Sequence, residues 1–114
     1  MTKEDDDYRP YQPIKDPEKD PCDLSFTTAL AGPDPDVIRK LSPYSVLKVE
    51  LSTQKLRERT VETVVALYQD SIVGTIDDVR ADNLLQCMNV GRKYRGVVQR
   101  IDGGQVLIRI EPIP

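Results

Sequence analysis

The densest cluster of side chains able to do chemistry is Gly91-Arg92-Lys93-Tyr94-Arg95, three cations around one aromatic, with Arg100 further along the same apparent strand. Guanidinium and ammonium groups neutralise phosphates, and an exposed tyrosine ring stacks on a base. Arg92, Lys93, Tyr94, Arg95 and Arg100 are therefore the candidate nucleic-acid contacts, weighed against a simpler role as charges guarding a sheet edge. A second basic stretch, Lys55, Arg57 and Arg59, is broken up by Glu58 and Glu62 and reads as ordinary surface. A third candidate is a docking peptide near the start of the chain. There Tyr8, Tyr11 and Ile14 alternate with Pro10 and Pro13, a composition suited to lying extended in a partner's groove.

Catalysis and metal binding find little to work with. The 114 residues contain no His, which removes the commonest general base and metal ligand. The resulting expectation is a non-catalytic protein with no catalytic residue, no cofactor and no metal. Asp77, Asp78 and Asp82 are oxygen donors close together in sequence, but acids at a helix start satisfy exposed backbone N–H groups without any ion. Two cysteines 65 positions apart, Cys22 and Cys87, do not have metal-site spacing. Without an apolar leader-like stretch they are expected to be reduced, partly buried thiols in a cytoplasmic protein with no membrane segment.

Charge divides by segment. Residues 1–21 carry seven acids, four bases and four prolines with almost nothing apolar, and read as a disordered or extended tail. Residues 22–114 are neutral overall and form the single domain.

Within that domain the patterning is mostly of period two. Asp23–Leu30 alternates and reads as a strand; Gly32-Pro33-Asp34-Pro35 breaks it and starts a turn or two of helix carrying Val37, Ile38 and Leu41. Residues 44–52 place Leu47, Val49 and Leu51 on one face and Val46, Lys48 and Glu50 on the other. A polar connector, Thr53–Arg59, leads to strands at Thr60–Tyr68 and Ile72–Ile76, with Gly74 marking a bulge or sharp coiling. Asp77-Asp78 is placed to cap a helix whose stripe is Ala81, Leu84, Leu85 and Met88, ended by Gly91. The last two strands, Lys93–Ile101 and Gln105–Glu111, form a hairpin about Gly103-Gly104, expected to set Ile101 opposite Val106, Gln99 opposite Ile108 and Val97 opposite Ile110. Six short antiparallel strands and one real helix cannot cover both faces of an open sheet. The expected fold is mainly β (α+β): a small six-stranded barrel or half-barrel capped by the helix.

Val65-Ala66-Leu67, Ile72-Val73-Gly74-Thr75-Ile76, Ala81–Cys87, Gly91, Tyr94 and Val97-Val98 follow one another in an order that resembles the second half of a HIRAN domain. That module is a small barrel of nucleic-acid-remodelling enzymes that also occurs as a free-standing bacterial protein. The resemblance implies a barrel with a helix across one end and, as one functional expectation, binding of single-stranded or end-specific DNA. Residues 52–66 lack the acidic-Pro-Asn and Asp-x-x-Ala pattern of the DNA-gripping members. The leading expectation is accordingly an adaptor or accessory subunit that binds another protein, with nucleic acid as the alternative partner.

Overall fold

The computed structural model describes residues 20–114. Six strands, β1 (Phe26–Ala31), β2 (Val46–Leu56), β3 (Arg59–Tyr68), β4 (Ser71–Ile76), β5 (Tyr94–Asp102) and β6 (Gln105–Pro112), close into a barrel in the order β1-β4-β3-β2-β5-β6. Every pairing is antiparallel, and β1 pairs with both β4 and β6 to seal the cylinder. The expected meander β2-β3-β4 and terminal hairpin β5-β6 are both present. Closure lets one set of side chains fill the interior.

That interior is aliphatic, as a chain with one Phe and no Trp requires. Leu47, Val64, Ala66, Val73, Val98, Val106, Ile108 and Ile110 are buried within it, joined by Phe26 and Tyr94. Two helices attach. The short α1 (Pro35–Ile38) is capped by the Asp34 carboxylate, which accepts from the Asp36 N–H at 2.9 Å, and it buries Val37. The longer α2 (Ala81–Asn89) buries Leu84 and Cys87, with Ala81, Leu85 and Met88 half-buried against the core. Gly91 ends α2 at φ +100°, a conformation costly for any residue with a Cβ. At Gly74 the reason for glycine is crowding: a Cβ there would stand 3.0 Å from both the Ala31 carbonyl oxygen and the Leu30 Cβ. The adjoining irregularity, between Ala66 and Leu67 opposite β4, is the expected bulge.

The structure corrects four local expectations. Thr53–Arg59 is no connector, because β2 runs on to Leu56 and β3 starts at Arg59, with Arg57-Glu58 as the turn and Arg57 at φ +56°. This outer part of the hairpin shows water to both faces, so no apolar alternation marks it in the sequence. In β5 a register shift between Val98 and Arg100 pairs Val98 with Ile108 and Gly96 with Ile110, which turns Val98 inward and leaves Val97 opposite Arg109. A bulge of one residue reverses which neighbour faces the core, and that cannot be read from two consecutive valines. The helix begins at Ala81 rather than directly after Asp77-Asp78; the Asp78 carboxylate instead accepts from the Arg80 N–H at 2.9 Å in the preceding turn.

The fourth correction is chemical. Cys22 and Cys87 are joined in a disulfide, their Cα atoms 5.6 Å apart, and are not reduced thiols. Barrel closure brings the segment before β1 against α2, a proximity that a separation of 65 positions does not announce.

Candidate binding surface

The five candidate nucleic-acid residues do not form one exposed basic patch. Tyr94, at the start of β5, is 2 % exposed, and its hydroxyl donates to the Cys22 carbonyl oxygen, so its ring is part of the core and has no face for a base. Burial pushes its phenol pKa up. Arg92 donates to the Asp20 carboxylate at 2.6 Å. The Cys22 backbone N–H and then Arg92 hold the Asp20 carboxyl below the usual carboxylate range, and Asp20 in turn raises the Arg92 pKa. Arg95 donates to Glu111 across the hairpin at 2.8 Å. Lys93 and Arg100 are exposed and make no ion pair among the described residues.

Arg92 and Tyr94 have instead a shared mechanical task. Asp20 and Pro21, grouped with the tail on composition, are tied to the barrel: Arg92 holds Asp20, Tyr94 holds the Cys22 carbonyl, the Asn83 amide donates to the Pro21 carbonyl at 3.3 Å, and the disulfide locks Cys22 to α2. Tyr8, Tyr11 and Ile14 lie outside the described residues.

Of the acids near α2, Asp78 is occupied: it pairs with Arg80 at 2.7 Å, which lowers its pKa to about 2 against the opposing effect of desolvation. The Arg80 guanidinium lies 4.4 Å from the Phe26 ring centroid. Among the described residues no three potential ligands gather as a metal site would require, and no helix is long and apolar enough to cross a membrane.

The outer barrel wall carries an apolar feature not singled out in the sequence. Val46, paired with Val97 across β2 and β5, is 57 % exposed, and Tyr44 beside it is 79 % exposed. In the next row along the strands, Arg95, Lys48, Leu67 and Ile72 stand side by side across β5, β2, β3 and β4, with Ile72 49 % exposed. Apolar side chains thus run diagonally from Tyr44 through Val46 and Val97 to Leu67 and Ile72, edged by Lys48, Arg95 and Arg109. The signal available in the sequence was Val46, an apolar residue on the polar face of an otherwise regular alternation. Comparison with protein-family models, curated proteins and solved structures gives no match for this chain.

Proposed function

We propose that this chain is a non-catalytic binding module, an adaptor or accessory subunit, and that it docks a partner protein on the outer wall around Tyr44, Val46, Val97 and Ile72. The observation that carries this reading is the exposed apolar diagonal on a barrel whose interior is already filled. A contiguous apolar patch rimmed by charge is the usual mark of a protein contact. The rim cations Lys48, Arg95 and Arg109 are paired with Glu50 and Glu111, so the rim is of mixed charge and the matching partner surface is apolar at its centre with both signs around it. Nucleic-acid binding has less support, because the only aromatic of the basic cluster is buried and two of its arginines are paired with acids.

The test compares full-length protein with Val46→Glu as baits in lysate of the native host, with quantitative mass spectrometry of what is retained. A partner held by the wild type and lost by at least tenfold with the variant supports the reading, provided both melt at the same temperature. Identical retention by both would refute it. Retardation of short DNA or RNA that weakens steeply with salt and disappears when Arg92, Lys93 and Arg95 become Ala would favour the nucleic-acid alternative.

A further inference from the structure

β2 is longer than the strand beside it. It pairs with β3 from Lys48 to Leu56, but with β5 only from Val46 to Lys48, and beyond that no strand among the described residues pairs on that side. The Val98 N–H donates to the Ser45 carbonyl at 2.8 Å, so alternation directs the backbone groups of the odd-numbered residues of β2 toward the β5 side. Those of Leu51, Thr53 and Lys55 therefore form an open edge. Beside its near end is a groove of about 520 Å³, lined by Leu51 and Glu50, by Met88 of α2, by Arg92 and Lys93, and by Ile113. Open edges of this kind accept an added strand.

Residues 11–20, Tyr-Gln-Pro-Ile-Lys-Asp-Pro-Glu-Lys-Asp, have the pattern of such a strand. Both prolines, Pro13 and Pro17, occupy odd positions, so every residue with an even number keeps its N–H and all of these point to one side. The acids Asp16, Glu18 and Asp20 are all even and the bases Lys15 and Lys19 are odd, so an extended chain presents one acidic face that also carries Ile14. The chain enters the described structure at the groove's rim, where Asp20 pairs with Arg92. Nine residues of strand reach roughly 30 Å, enough to pass from there along the β2 edge.

We propose that residues 11–19 of the same chain add as an edge strand to β2, hydrogen-bonding through their even-numbered residues, with Ile14 against the apolar groove and Asp16 and Glu18 toward Lys93 and Arg92. The prolines then face solvent and close the sheet edge to further pairing.

Parity supplies the test, on full-length protein by NMR-detected amide hydrogen exchange. The Leu51 and Thr53 amides should exchange at least tenfold more slowly in the wild type than in Ile14→Pro, which removes a donor on the bonding side. Lys15→Pro, on the outer side, and Ile14→Ala, which keeps the donor, should retain protection. The Ser52 and Gln54 amides, directed at β3, report that the barrel is intact. Unprotected Leu51 and Thr53 in the wild type, or equal loss with both proline variants, would overturn the proposal. Protection that grows with protein concentration alongside a dimer mass would place the segment on a second copy and overturn it too.

Discussion

Breaking the Cys22–Cys87 disulfide should strongly destabilise this domain. The bond closes a loop with a sequence separation of 65, and the chain-entropy relation for a loop of that length gives about 4 kcal/mol at 25 °C. A domain of this size loses roughly 4–8 °C of Tm per kcal/mol, so the reduced protein should melt roughly 15–30 °C lower. The loss is concentrated at one place, because the contacts of Asp20, Pro21 and the Cys22 carbonyl to Arg92, Asn83 and Tyr94 all depend on the segment that the bond anchors. The assay is thermal and urea unfolding of the same preparation with and without a dithiol reductant, alongside a Cys22→Ala/Cys87→Ala variant that cannot re-oxidise. Thiol titration of the unreduced, denatured chain should find no free thiol. Two titratable thiols, or a stability change below about 1 kcal/mol on reduction, would refute the reasoning.

Three further outcomes follow from the same geometry. The Asp78 carboxyl is depressed from 3.8 to about 2 by Arg80, so its contribution is fully present above the unfolded value and disappears as pH falls through the folded one. Because Arg80 is largely solvated, that contribution is about 1 kcal/mol, and Asp78→Asn should cost this much at pH 7 but nothing near pH 1, as read by urea midpoints. Tyr94→Phe removes the donor to the Cys22 carbonyl and should cost about 1 kcal/mol in denaturant unfolding, with the ring still packed. Gly74→Ala places a methyl 3.0 Å from the Ala31 carbonyl and the Leu30 Cβ, forcing β1 away from β4 at a cost of about 1–3 kcal/mol; an unchanged melting temperature would show that this seam is not tight.

The architecture was legible because its signals are local. Alternation of Leu47, Val49 and Leu51, the glycine pair at 103–104, the stripe around Leu84 and the αL glycine at 91 each mark an element within a few residues, and strand count with aliphatic composition then calls for closure. Where a local signal was missing, the reading failed locally: the solvated outer ribbon of β2 and β3 has no buried face to pattern it, and the β5 bulge at Gln99 trades Val97 for Val98 without altering composition. The candidate site depended on information of another kind. Whether Tyr94 meets solvent or the core, whether Arg92 is free or holds Asp20, and whether two cysteines meet are decided by segments far apart in the chain. The sequence by itself determined a filled barrel without histidine chemistry. Only the tertiary structure decided that the aromatic of its basic cluster is buried, that its thiols are joined, and that apolar surface collects on the outer wall, because each depends on strands brought side by side by closure.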